Sequence, residues 1–429
     1  MKSPLLALLL LGGVLPVAAG TGDTFLLRGA TVHTVSGADI PDGSVLVKDG
    51  RIAEVGAKLV APKGVRVIDV KGLHVYPGLI DAATSLGVTE IGSVRETNDT
   101  TDIGTFKPQL RIAIAFNPAS EHLPVTRANG ITTALVQPAG GIIPGQAALM
   151  HMDGWTIEDM ALRPSAAMRL DYPAIQEGGG QRAATTGSRS GSYAEAKKRC
   201  EAQVRELNEF FEAARRYQKA KAAGAAGFRT DLKLEAMLPV LERKLPVLVR
   251  AEKERTIREA LEFAEKQKVR MILQHGGEAW KLAGELKTRN VPVVLGRTYS
   301  LPDNEDDPYD RVFATPAELF RAGVRIAFAT YGPGAGSNPC NLPYEAAAAV
   351  PFGLPPDEAL KAVTLYPAEI FGVADQVGSI DRGKLADLIV TDGDPLETRT
   401  QVKQMFIQGR PVDLGNKHKR LYEKYLNRP

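Results

Sequence analysis

Apolar and polar positions alternate from the start of the patterned region. Residues 25–28, 30–35, 43–47 and 51–55 are short β-type runs separated by Gly and Asp turns, and Lys48-Asp49-Gly50 is a hairpin signal. Residues 65–70 alternate again. They lead through His74-Val75-Tyr76 and a Pro77-Gly78 turn into an apolar run from Leu79 that ends at Gly87, the pattern of a buried strand. Further apolar runs follow at 131–136, 247–251, 269–274, 291–295 and 324–329, with a weaker one at 166–170. Helical patterns such as 257–267 and 316–322 precede them. Two last strands, 386–391 and 402–407, flank the turn Asp392-Gly393-Asp394-Pro395.

Strands alternating with helices predict a parallel barrel with right-handed crossovers. The first β-rich stretch, about 50 residues, is too small to stand alone and needs the strands at the far end of the chain. The predicted class is therefore α/β: a (β/α)8 TIM barrel over 76–374, with a small composite β-sandwich from 22–75 and 375–412. Residues 193–223 break the alternation with one long helix. Cys200, Val204, Leu207, Phe211, Ala214 and Tyr217 share its apolar face, and Glu201–Arg205 and Glu212–Arg216 are spaced as i,i+4 ion pairs. No strand pattern separates this helix from the helical run 234–243, so the fourth barrel strand is expected to be irregular or lost. The Gly- and Ser-rich run 178–192 reads as a surface loop on the face where barrel active sites form.

Composition narrows the function classes. Lys plus Arg is 53 and Asp plus Glu is 50, for a net charge of +3, which gives no reason to expect nucleic acid or an anionic membrane as partner. Lys2, the apolar stretch 5–15 and Val17-Ala18-Ala19 form a signal-peptide pattern over 1–19, so the mature protein is expected to be exported, periplasmic or extracellular. The 2 cysteines, Cys200 and Cys340, have no metal-site spacing and are read as free structural residues. Residues 413–429 form a helical tail beyond the last strand.

Two stretches carry a family likeness. Pro77-Gly78-Leu79-Ile80-Asp81 resembles the first barrel strand of the amidohydrolase superfamily, and Gly378-Ser379-Ile380-Asp381-Arg382-Gly383-Lys384-Leu385-Ala386-Asp387-Leu388-Ile389-Val390 resembles its C-terminal element. The likeness spans residues 24–412 and looks nearest to imidazolonepropionase-like and dihydroorotase-like members. It implies a barrel with a composite sandwich, one or two divalent metals that acidify water, an aspartate that shuttles its proton, and hydrolysis of C–N bonds in cyclic amides, imides or acylated amino acids. It also implies histidine ligands after strands one, five and six, a carboxylated lysine on strand four and an aspartate after strand eight.

The chain departs from that ligand pattern. Strand one has Ala83 and Ser85 at the His-x-His positions, and strand five ends Arg250-Ala251-Glu252, where the family has histidine. Strand six ends Gln274-His275, which fits, and strand eight places Tyr331 where the family has aspartate. One surviving histidine cannot hold a catalytic zinc, for which three protein ligands are usual. No cofactor is expected at full occupancy, although His275 leaves a single zinc open. His275, Glu252 and Tyr331 are the catalytic candidates, with Arg250 and Gln146 as candidates for binding substrate.

Other groups carry weaker signals. The backbone amides of Gly140–Gln146 either face an anion or form a plain turn. The acidic run Asp303-Asn304-Glu305-Asp306-Asp307 lacks calcium-loop spacing. Glu90, Arg95 and His122 follow strand one or open a helix, and His33, His74, His151 and His418 show no partner pattern. Three functions stay open: a hydrolase with an altered site, a non-catalytic barrel that binds a small molecule, and a structural partner of a catalytic homologue. A homodimer, or a heteromer with such a homologue, is expected.

Overall fold

The computed structural model describes residues 23–175, 192–224, 227–302, 304–331 and 338–428. The signal-like segment 1–19 and nearly all of the 178–192 run lie outside the described residues.

Both ends of the chain build one eight-stranded sheet, in the order β16-β15-β14-β5-β1-β2-β3 with β4 paired to β1. Its first members are β1 (Phe25–Val32), β2 (Ile40–Lys48), β3 (Arg51–Ala57), β4 (Arg66–Asp69) and β5 (His74–Pro77). The last are β14 (Leu388–Thr391), β15 (Val402–Ile407) and β16 (Arg410–Pro411). The alternation read from the sequence buries Phe25, Leu27, Val45, Val47, Leu388, Val390 and Phe406 in one cluster. The rings of Phe25 and Phe406 stack with centroids 4.5 Å apart, so the two chain ends share one core.

Gly78 joins this sheet to the barrel. A Cβ there would lie 2.1 Å from the Thr132 hydroxyl oxygen, a contact only glycine avoids. The barrel sheet is nearly closed and runs in chain order: β6 (Leu79–Thr84), β7 (Ile131–Val136), β8 (Gly145–His151), β9 (Ala161–Asp171), β10 (Val247–Ala251), β11 (Met271–His275), β12 (Val293–Leu295) and β13 (Ile326–Phe328). Each strand contributes to one interior cluster, among them Ile80, Leu135, Leu149, Ala167, Leu248, Ile272, Val294 and Ala327. The seam between β13 and β6 is held by side chain and backbone. Thr330 N and Ala83 N each donate to Asp81 Oδ1 at 3.1 Å, the Thr330 hydroxyl bonds Asp81 Oδ2, and Tyr331 N donates to Ala83 O at 3.0 Å.

The irregularity anticipated at strand four lies at strand three. β8 runs antiparallel to both β7 and β9, a hairpin return where a helical crossover is the rule. Strand four, β9, is intact over 11 residues and starts earlier than the 166–170 run. The Ala-rich stretch Gln146-Ala147-Ala148-Leu149-Met150 has no period that separates strand from helix, which hid β8.

The long helix is present as Tyr193–Ala222, capped by a reciprocal Ser192–Glu195 pair, with Cys200, Leu207, Phe211, Ala214 and Tyr217 buried. Its ion pairs differ from those expected. Glu201 pairs with Lys197 at 4.0 Å and Glu212 with Arg215 at 3.9 Å, both one turn from the acid but with the other available cation. Cys200 and Cys340 are both free.

Candidate functional site at the barrel mouth

Parallel strands place their C-terminal ends at one rim of the barrel. Here β9 ends in Arg169-Leu170-Asp171 and β10 in Arg250-Ala251-Glu252, with Arg250 and Asp171 as register partners. In each, the arginine reaches the acid two residues on, on the same face of the strand. Arg169 Nε and Nη2 donate to Asp171 Oδ1 at 3.1 and 2.7 Å. Arg250 Nε and Nη2 donate to Glu252 Oε1 at 3.1 and 2.7 Å. The two pairs differ in depth. Arg169 is fully buried, whereas Arg250 and Glu252 are 43% and 41% exposed.

Tyr331 and His275 close the group. The Arg169 guanidinium lies 5.1 Å from the centre of the Tyr331 ring, and the His275 ring meets the same tyrosine edge-on at 5.8 Å. His275 has a φ of 72°, unusual for a residue with a side chain, and Gly296 makes room for its ring. A Cβ at Gly296 would lie 3.1 Å from His275 Nδ1. Burial first, then the nearby Arg250 cation, lowers His275 to about 4, so its imidazole is neutral at pH 7. Burial resists ionisation of Glu252, but Arg250 outweighs it and holds that carboxyl below the ordinary range.

Two cavities of about 490 and about 750 Å³ open at this rim, and Arg250 and Glu252 line both. His275, Gly296, Phe328 and Tyr331 line the first, while Asp171, Tyr172 and Cys200 line the second. These volumes fall in the range of small-molecule sites. His275, Glu252, Tyr331 and Arg250, singled out from the sequence, thus meet in one place.

Gln146 does not join them. Its Nε2 donates to Pro108 O at 2.8 Å and its Oε1 accepts from Ser165 Oγ at 2.6 Å, so its amide is committed to the framework. Three amides of the 140–146 run are likewise committed, with Ile142 N and Ile143 N donating to Thr105 O and Gln146 N to Leu110 O. Asn304 bonds Asp307 within the acidic stretch and ties it to Glu278. Three of the unassigned histidines have partners: His33 bonds His74 at 2.9 Å and Asp39 at 2.7 Å, and His151 lies 3.4 Å from Asp387.

Arg169 and Asp171 were missed by sequence reasoning. The available signal was the repeat of Arg-x-acid at the ends of two barrel strands, which period and propensity do not register.

The residues present do not fit the divalent metal that the family likeness implies. Among the described residues no group of three or more His, Cys, Asp or Glu side chains is placed to hold one. At the mouth, each carboxylate near His275 is already neutralised by an arginine, and two guanidinium groups repel a dication.

Comparisons with known proteins agree with the architecture. The amidohydrolase family profile matches residues 241–412. An amidohydrolase, tasK, from Hapsidospora irregularis is 24% identical over 94% of this chain and 45% of its own length. An imidazolonepropionase from Erwinia tasmaniensis is 29% identical over 39% of this chain and 36% of its own. These matches therefore span less than half of either relative. The crystal structure of an amidohydrolase from Thermotoga maritima superposes with a TM-score of 0.78 and 25% identity, covering 91% of this chain and 99% of that one. With a barrel and a separate sheet domain, an amidohydrolase profile over residues 241–412, an amidohydrolase relative along 94% of the chain and an amidohydrolase structure along 91% of it, the comparisons support the amidohydrolase superfamily for this chain.

Proposed function

We propose that this chain is an exported protein that binds a small polar molecule at the barrel mouth and does not run the metal–water hydrolysis of its superfamily. One observation carries the reading. The buried Arg169 guanidinium, stacked under Tyr331, places a fixed protein cation in the interior below the rim, where this superfamily assembles metal ligands. A guanidinium is charged at every working pH and cannot polarise water as a Lewis acid does. The two cavities that share Arg250 and Glu252 support retained binding. The relatives' names point to small C–N compounds: an imidazolone, an N-substituted formamide and a hydantoin.

The test is a thermal-shift screen of small amides, cyclic imides, amino acids and their acyl derivatives, followed by product analysis of every hit. The expected result is a saturable rise in Tm, lost in Tyr331→Ala, with the hit recovered intact. Turnover of a hit by protein treated with zinc would overturn the reading in favour of a hydrolase with an altered site.

A further inference from the structure

The Arg250–Glu252 pair has an unusual place. It lines both cavities and so stands between them. All of its mutual bonding goes through one carboxylate oxygen, Oε1, and two guanidinium nitrogens, Nε and Nη2. Among the described residues no other side chain bonds Arg250 Nη1 or Glu252 Oε2. An ion pair this exposed adds little to stability, so opening it costs little.

Within the rim cluster the charges match: Arg169 and Arg250 face Asp171 and Glu252, and the Arg169–Asp171 pair repeats the same geometry one strand away. Arg297, Arg311 and Lys253, which also line the cavities, are paired with Glu345, Glu318 and Glu278, while Arg199 adds a cation to the lining of the second cavity. A ligand of one sign entering this group would leave one protein charge in surplus. A ligand carrying both signs would not, and each of its charges would gain a charge-assisted hydrogen bond.

We infer that the ligand carries an ammonium and a carboxylate on neighbouring atoms, as an α-amino acid does, and binds by separating Arg250 from Glu252. The ligand carboxylate accepts from the guanidinium and the ligand ammonium donates to Glu252. The protein groups touch at 2.7 Å, which suits charges borne on one α-carbon better than charges at the two ends of a long molecule. Leu295, Val312, Pro316 and Phe328 give the first cavity an apolar wall for the side chain. This rests on the small-molecule reading above and narrows it, because an N-acylated amino acid lacks the ammonium.

Calorimetry on the full chain tests it with alanine, leucine and phenylalanine, each as the free amino acid, the N-acetyl acid, the amino amide and the N-acetyl amide. The expected result is that at least one free amino acid binds about tenfold or more tightly than its singly blocked forms. Glu252→Gln should bring the free form down to the affinity of the N-acetyl acid without changing the latter. Arg250→Met should do the same against the amino amide. Both side chains are partly exposed, and circular dichroism with unliganded thermal unfolding checks that the variants fold. Equal binding of free and blocked forms overturns the zwitterion while leaving small-molecule binding in place. Failure of every free amino acid to outbind its blocked forms, or equal weakening of all forms by Glu252→Gln, overturns it as well.

Discussion

Arg169, near the end of the fourth barrel strand, reaches across the interior to Tyr331 beyond the eighth, with its guanidinium carbon 5.1 Å from the ring centre. Tyr331 stands where the family likeness implies an aspartate, and it contacts a buried cation instead. The pair sets a buried cation against an aromatic face, an attractive arrangement that strengthens when desolvated.

The depth difference between Arg169 and Asp171 predicts an asymmetry. Asp171 is 27% exposed on its side chain and Arg169 is not exposed at all. Removing the acid strands a buried charge, so Asp171→Ala should cost about 3–5 kcal/mol. Arg169→Met removes the charge, keeps most of the volume and leaves a carboxylate that reaches solvent, so about 1–2 kcal/mol is expected. Urea unfolding at constant pH measures both. A larger loss for Arg169→Met would show that the stack on Tyr331, not the ion pair, dominates.

Asp81 predicts a pH dependence. Burial raises its carboxyl to about 7, although bonds from Thr330 and Ala83 favour the ionised form. The unfolded value is about 4, so the folded state favours the protonated acid. Its contribution to stability is complete below about pH 4 and is lost as pH rises through about 7, with roughly 4 kcal/mol as an upper bound. Asp81→Asn should flatten the stability profile over that window. An unchanged slope between pH 4 and 7 would assign the dependence to other groups.

Gly78 predicts a steric failure at the junction of the two domains. The Thr132 side chain occupies the place of any Cβ, at 2.1 Å. Gly78→Ala should destabilise by about 2 kcal/mol or more, and the double variant with Thr132→Ala should recover part of it by removing the hydroxyl oxygen and the methyl group that make the two shortest contacts. No recovery in the double variant would move the constraint from the side chain to the backbone.

Metal analysis gives a direct reading of the mouth. Purified protein should carry well under one zinc per chain, and His275→Ala should change neither metal content nor the effect of a chelator on Tm. The warrant is that folding and metal affinity are coupled wherever a real site exists. Stoichiometric metal lost on His275→Ala would sink the donor-set argument.

Much of the architecture was legible because it rests on periodicity. The β-branched run at 131–136 and the apolar runs at 247–251 and 324–329 each contain the strand they predicted, and the two chain ends share the Phe25–Phe406 core. What escaped was set by pairing rather than period. β8 exists because Gly145–His151 pairs with strands on either side, and its Ala-rich sequence has no preference that shows this in isolation. The site divides the same way. Tyr331 and His275 were found by matching strand ends to the ligand positions that the family likeness implies, while the reach of Arg169 across the barrel depends on closure, which no local pattern encodes.

The last prediction concerns the tail. The helix Lys417–Leu426 is capped by Asn416 and braced on its approach by Lys419 on Leu414 O at 3.1 Å, and an exposed Arg420–Glu121 pair at 3.8 Å reaches the body. None of its residues is buried, and Leu421, Tyr422, Tyr425 and Leu426 are 39, 67, 60 and 66% exposed. Two tyrosines and two leucines on a short cationic helix form a face that a monomer leaves in water at a cost, and aromatic residues are enriched at subunit contacts. A closed pair would let this face meet its own copy across a two-fold axis. We therefore expect the full chain to be dimeric at micromolar concentration and the dimer to weaken by about tenfold or more when residues 416–429 are deleted. Tyr422→Ser with Tyr425→Ser should reproduce the loss without shortening the chain. Light scattering across a dilution series decides it: a monomeric full chain removes the homodimer and leaves a catalytic homologue as the candidate partner, and a dimer of unchanged affinity after truncation places the contact elsewhere.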